Sequence, residues 1–191
     1  MTHSKILVFA GSTREGSLNR KLARLAAGTL EKRGLDVTLL DLRDYPMPLY
    51  DGDLEVTHGL PERAKAFKEA LGAHDMFVIA SPEYNGSFSG MLKNAIDWAS
   101  RAEPGERPTQ VFRGKTAVLL ATSPGPGAGK RGLRHLRELL QMIGVTVMPQ
   151  EFALAKGADS ISPEGKLLNP EDNGRLETVL ADLTEGHLAA A

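Results

Sequence analysis

The sequence predicts an α/β fold, a doubly wound parallel sheet with helices on both faces, and three observations carry that prediction. Short continuous apolar runs occur at Ile6 to Ala10, Met76 to Ala80 and Ala117 to Ala121. Apolar runs of this length read as strands buried on both faces, the habit of parallel sheets. Each run leads through a Gly/Ser/Pro-rich turn into a pattern of helical period. No repeat, low-complexity block or linker divides the 191 residues, a length that suits one domain at roughly 100–200 residues each. Strand and helix in alternation build a sheet whose crossovers are right-handed.

The first strand, Lys5–Ala10, passes through Gly11 to Gly16 into a helix over Ser17–Arg33. Leu18, Leu22, Leu25 and Leu30 share one face there, with Arg20, Lys21 and Arg24 between them. Ser17 suits the N-cap and Gly34 stops the helix. Asp36–Asp41 is half polar and reads as a strand nearer the sheet edge. Tyr45-Pro46-Met47-Pro48 and Asp51-Gly52-Asp53 read as loop before a modest helix at Pro61–Leu71. The third strand, Asp75–Ala80, is followed by the turn Ser81–Ser87 and a helix over Gly90–Arg101, with Leu92, Ala95, Ile96 and Ala99 inward. After a surface loop at Glu103 to Pro108 comes strand Lys115–Thr122, turn Ser123–Gly127 and a helix from Ala128 to Ile143. Gly144 caps it, and Val145–Met148 is a short fifth strand. Phe152–Asn169 reads as irregular. Pro170, suited to a first helical position, opens a last helix to His187, and Leu188–Ala191 is expected to fray.

Composition narrows the function. There is no cysteine, and 23 basic side chains face 24 acidic ones for a formal net charge of -1. Disulfides, thiolate metal sites and cysteine nucleophiles are excluded. Near-neutral charge argues against nucleic-acid binding driven by phosphate neutralisation. No apolar run approaches the ~20 residues of a membrane span, and Met1-Thr2-His3-Ser4 lacks a signal peptide's apolar stretch. The expectation is a cytoplasmic protein bound neither to membrane nor to nucleic acid. The histidines are scattered at 3, 58, 74, 135 and 187, so no metal cluster is expected.

In doubly wound folds ligands bind at the carboxyl ends of the strands. The first such loop, Gly11-Ser12-Thr13-Arg14-Glu15-Gly16-Ser17-Leu18-Asn19, sets small residues, hydroxyls and one arginine at a helix start. Free N–H groups and the dipole there favour a phosphate. Ser12, Thr13 and Ser17 can donate hydroxyls, Arg14 can make charge-assisted bonds, and Asn19 can reach back from the first turn. An ordinary capped turn would also use the glycines and hydroxyls, but not Arg14. Ser17-Leu18 replace the Lys-Ser/Thr of a nucleotide loop. The only Gly-x-Gly-x-x-Gly run, Gly127 to Gly132, falls several residues past its strand and reads as loop and helix start.

The loop Ser81-Pro82-Glu83-Tyr84-Asn85-Gly86-Ser87-Phe88 follows the third strand. Pro82 and Gly86 shape its backbone, Tyr84 offers an aromatic wall, and Asn85 offers a donor and an acceptor. Tyr84 packing on its own turn and an Asx-turn at Asn85 are equally open readings. Glu83 reads as surface, partner-facing or structural rather than as a general acid. In the next helix Trp98 and Ile96 read as core or subunit interface, and Lys93 with Asp97 as an ion pair on the helix face.

These motifs resemble those of the NAD(P)H-dependent FMN reductases, a flavodoxin-like family with chromate-, quinone- and azo-reducing members. The residues that carry the resemblance are Gly11 to Arg20, Ser81 to Asn85, and Leu92 to Trp98 with Ser100-Arg101. The order of elements matches over essentially the whole chain. The resemblance implies a three-layer sandwich with five parallel strands in the order 2-1-3-4-5. It implies FMN as cofactor, with its phosphate on Ser12, Thr13, Arg14, Ser17 and Asn19. The ribityl chain and ring would lie against Pro82, Glu83, Tyr84 and Asn85, and Ser123 and Gly125 would border the ring. The Ser123-Pro-Gly-Pro-Gly run departs from the commoner Gly-Gly version of that loop. A homodimer or homotetramer is implied, with the flavin site near the subunit interface.

The implied reaction takes hydride from NAD(P)H to FMN and passes electrons to a quinone or other small oxidised acceptor, in ping-pong order. No side chain is expected to act as an acid or base, because the cofactor carries the chemistry. A non-enzymatic flavodoxin-type electron carrier is the alternative, and the net charge of -1 counts against its acidic docking surface. A response-regulator-like domain would need acids where the first strand ends in Phe9-Ala10-Gly11-Ser12.

Overall fold

A computed structural model describes the backbone of residues 4–190 and the side chains as far as residue 183. The elements run Lys5–Ala10 (β1), Leu18–Lys32 (α1), Asp36–Leu40 (β2), Gly52–His58 (α2), Glu62–Gly72 (α3) and Met76–Ala80 (β3). Then come Glu83–Tyr84 (β4), Ser87–Phe88 (β5), Gly90–Ala99 (α4), Thr116–Thr122 (β6), Lys130–Met142 (α5), Thr146–Leu154 (β7), Gly157–Ser160 (α6) and Pro170–Ala190 (α7). Five strands form one sheet in the order β2-β1-β3-β6-β7, every neighbouring pair parallel. Counted along the sheet this is the expected 2-1-3-4-5 order.

Alternation along each strand decides which layer a side chain joins. Leu7 and Phe9 of β1, with Phe77 and Ile79 of β3, face α3, α4 and α5 through Phe67, Leu71, Leu92, Ile96, Leu133 and Leu136. Ile6 and Val8, with Val78, Val118 and Leu120, face α1 and α7 through Leu22, Ala26, Leu30, Leu176 and Leu180. Strands β3 and β6 are buried throughout, and β2 is largely exposed, as its half-polar sequence requires of an edge. Among the described residues, no helix is long and apolar enough to cross a membrane.

Several elements differ from the sequence reading, among them a short helix, α6, inside the stretch read as irregular. Asp51-Gly52-Asp53 opens a helix instead of ending a loop: the Asp51 carboxylate accepts from the backbone N–H of Asp53 at 2.8 Å and of Leu54 at 3.3 Å. The fifth sheet strand runs on to Leu154. Its register shifts between the Ala117–Val147 and Leu119–Glu151 pairs, which places Pro149 at the irregularity, where a missing N–H is tolerated. Arg137 Nη1 donates to the Met148 carbonyl there at 2.6 Å, and Phe152, Ala153 and Leu154 are buried beyond it. The last helix extends past His187 to Ala190, and Ala191, the end of the tail expected to fray, lies outside the described residues.

Candidate active site

Strands β1, β3 and β6 are adjacent; Ala10 lies beside Ala80 and Ala80 beside Leu120, and β6 runs on past that level to Thr122. The three loops singled out above therefore emerge side by side. Two long-range contacts brace them. Asn19 Nδ2 donates to the Thr122 carbonyl and its Oδ1 accepts from the Thr122 N–H, each at 2.9 Å. Ser89 Oγ donates to the Gly11 carbonyl at 2.6 Å while accepting from Leu92 N–H as the N-cap of α4. A side chain at Gly11 would collide with Leu92, so glycine there lets α4 approach the first loop.

In the first loop Ser17 is the N-cap of α1, accepting from Arg20 N–H at 3.3 Å. Ser12 is buried, and its Oγ accepts weakly from Arg14 N–H at 3.4 Å. Thr13 is half-buried and Arg14 is exposed. Among the described residues Arg14 has no ion-pair partner, and the N–H groups of Thr13, Glu15, Gly16, Leu18 and Asn19 have no backbone acceptor. Two hydroxyls, a free guanidinium and a row of open N–H donors at a helix N-terminus suit a phosphate. The Asn19 amide faces Thr122 and joins α1 to β6.

The second loop is a hairpin rather than an open turn. Glu83 pairs with Phe88 and Tyr84 with Ser87 across Asn85-Gly86. Asn85 has φ 52° and Gly86 φ 80°, the positive pair of a tight Asn-Gly hairpin turn. That dipeptide is the local signal the loop reading passed over. Pro82 is buried and Tyr84 exposed. The Glu83 carboxylate accepts from the N–H of Arg131 at 3.0 Å and of Gly132 at 3.1 Å, so it caps α5 and fastens the hairpin to that helix. Gly132 sits where a side chain would press on Ser87 and Phe88 backbone.

The third loop is held by the segment after β7. Ser123 Oγ donates to the Gly125 carbonyl at 3.1 Å. The Ser123 carbonyl accepts from Gly157 N–H at 2.9 Å and the Gly125 carbonyl from Lys156 N–H at 3.3 Å. The turn into α5 includes Ala128 at φ 56° and Gly129 at φ 83°, so that helix begins at Lys130 rather than Ala128. A Cβ on Gly129 would come within 2.8 Å of the Ala121 Cβ. Gly129 thus serves chain reversal and, with Gly132, close packing.

Behind the first loop lies a pair that sequence reasoning missed. Arg20, read as one of the polar residues between the leucines, is buried. Its Nη2 meets Asp41 Oδ2 at 2.5 Å, and its Nη1 donates to the Arg14 carbonyl at 3.2 Å and the Glu15 carbonyl at 3.5 Å. Burial pushes the Asp41 carboxyl up, but hydrogen bonds from Arg43 and Arg20 outweigh it and hold the carboxyl below its ordinary value.

Residues 4–159 match the family described as NADPH-dependent FMN reductase. A Pseudomonas aeruginosa NAD(P)H-dependent FMN reductase is 36% identical over 166 residues, 86% of this chain and 85% of that protein. An Escherichia coli quinone reductase is 33% identical over 186 residues, 94% and 92% of the two chains. The solved structure of the FerB flavoenzyme, an NAD(P)H:(acceptor) oxidoreductase from Paracoccus denitrificans, superposes with a TM-score of 0.80 at 28% identity, covering 96% of this chain and 98% of that one. The first loop, the hairpin and the sheet order lie within the matched span, and the chain belongs to the NADPH-dependent FMN reductase family.

Proposed function

We propose that this protein is an FMN-dependent NAD(P)H oxidoreductase of a quinone or another small oxidised acceptor such as chromate, an azo compound or free flavin. The observation that carries the reading is the row of open N–H donors with Arg14 at the start of α1, placed beside two braced loops. Bound FMN would supply the hydride-accepting and electron-passing chemistry, with reductant and acceptor using one face in turn. The chain's own work is binding and orientation. Ser12, Thr13, Arg14 and Ser17 would hold the phosphate, with Asn19 fixing the helix start to Thr122. Pro82, Tyr84 and Asn85 would line the ribityl and ring side, with Ser123 and Gly125 opposite and Glu83 locking the hairpin on α5. Membership of a reductase family sets the electron-carrier alternative aside.

A homodimer or homotetramer in the cytoplasm belongs to the same reading. Leu49 is 82% exposed and Met91 43% exposed, and both line a depression of about 560 Å³ that reaches Thr13. Covering such apolar side chains favours self-association.

The visible spectrum of the purified protein, with and without added FMN, tests the cofactor. Partner-free oxidation of NADPH or NADH with a quinone tests the activity. A yellow protein that turns over quinone is expected. A chain that takes up no FMN overturns the reading.

A further inference from the structure

We propose that Arg20 and Asp41 are positioning residues for the phosphate loop, holding its peptide groups so that the N–H donors face the ligand. The inference rests on the first loop being the phosphate seat.

The geometry is specific. In a trans peptide the carbonyl of one residue and the N–H of the next point in opposite directions. Arg20 Nη1 draws the Arg14 and Glu15 carbonyls toward the body of the protein. The N–H groups of Glu15 and Gly16 therefore face the other way, and neither has a backbone acceptor among the described residues. Arg20 stands in the first turn of α1, where a cation is disfavoured by the helix dipole, and it is buried there. A buried ion pair is weak evidence of a stabilising role. Its placement is better explained by what the guanidinium does to the loop.

Asp41 sets the guanidinium's angle. It sits one residue beyond β2 and is itself held by Arg43, whose N–H, Nε and Nη2 reach it at 3.1, 3.0 and 2.8 Å. Ser12, Arg20 and Asp41 line a cavity of about 90 Å³, so the loop has space to move when this support is shortened. Lysine carries the same charge but lacks the planar fork that reaches two carbonyls and a carboxylate together.

Equilibrium dialysis of the full chain against FMN and against riboflavin tests the proposal, because only FMN carries the phosphate. Arg20→Lys and Asp41→Asn are expected to weaken FMN binding by about tenfold, the scale of a lost charge-assisted contact, with riboflavin binding unchanged. Arg14→Ala tests the seat itself and is expected to reduce the FMN-over-riboflavin preference as well. If Arg14→Ala reduces the preference and the two positioning variants do not, the positioning role is overturned and the seat stands. If Arg14→Ala leaves the preference intact, the seat fails and the proposal with it. Equal weakening of both flavins in folded Arg20→Lys and Asp41→Asn would show a merely structural pair and also overturn it. Asp41→Asn keeps its size and its place beside Arg43, so it answers the question should Arg20→Lys not fold.

Discussion

Asn94 grips the backbone on both sides of Leu49: its Oδ1 accepts from Tyr50 N–H at 2.7 Å, and its Nδ2 donates to the Pro48 carbonyl at 2.8 Å. Trp98 Nε1, one turn further along α4, donates to the same carbonyl at 2.9 Å. The Trp98 ring meets Tyr50 edge-on at 5.0 Å. One helix face thus fixes a segment with no sheet partners, the segment that carries exposed Leu49 beside the first loop.

Replacing Asn94 tests that grip. Asn94→Ala leaves the Tyr50 N–H without its acceptor and is expected to cost about 1–3 kcal/mol. For a chain of this size each kcal/mol lowers the melting temperature by about 2–4 °C. Asn94→Asp keeps the acceptor for Tyr50 and should lose less. Thermal unfolding measures the cost, and amide exchange at Tyr50 localises it. Unchanged exchange in Asn94→Ala would refute the grip.

The Glu83 cap gives a second expectation. Glu83→Ala removes the acceptor for two N–H groups at the start of α5 and should cost about 0.5–2 kcal/mol, the range for lost N-terminal caps. Glu83→Gln retains one oxygen and should fall between. Faster amide exchange at Arg131 and Gly132 in the alanine variant would place the loss at the helix start. Full protection there would count against the cap.

Gly157 lies so close to Thr122 that an added Cβ would overlap the threonine hydroxyl. Gly157→Ala should therefore cost about 1–3 kcal/mol by overpacking. In a Thr122→Ala background, where the hydroxyl is gone, the same change should cost less. A double-mutant cycle is expected to show coupling of about 0.5–3 kcal/mol. Simple additivity would show that the cost of the added methyl does not come from the Thr122 hydroxyl.

Acid sensitivity follows from Glu106. A hydrogen bond from the Lys68 ammonium and another from Glu103 N–H hold the Glu106 carboxyl below its ordinary value. The folded pKa lies below the unfolded one, so this stabilisation is fully present above the unfolded value, about 4.3. It is lost as pH falls through the folded value. The melting temperature of Glu106→Gln should trail the wild type at pH 7, and the gap should close as the solution is acidified. A gap independent of pH would show that the charge plays no part.

Much of the fold was legible because local chemistry and tertiary demand agree in it. The apolar runs of β1, β3 and β6 are buried on both faces, Ser17 caps α1, and Lys93 pairs with Asp97 at 2.7 Å one turn apart. The misses have equally local causes. Pro149 masked the rest of β7, because a missing N–H reads as a strand end when a shift in register is not visible. Asp51-Gly52-Asp53 reads as loop from its residue types, although the same Asp51 carboxylate caps a helix when the chain winds on from it.

Taken alone, the sequence determined the layered α/β architecture, the three loops that converge, and a helix start suited to a phosphate. Those features are written in hydrophobic period, in glycine and hydroxyl spacing, and in one unexplained arginine. Only the tertiary structure decided the duties of polar side chains whose partners are remote in sequence. Asn19 reaches Thr122, Ser89 holds Gly11, Glu83 caps α5, and Arg20 turns inward to Asp41. A polar residue's type states which bonds it can make. Which bonds it does make depends on the groups that folding brings within about 3 Å, and no spacing along the chain records that.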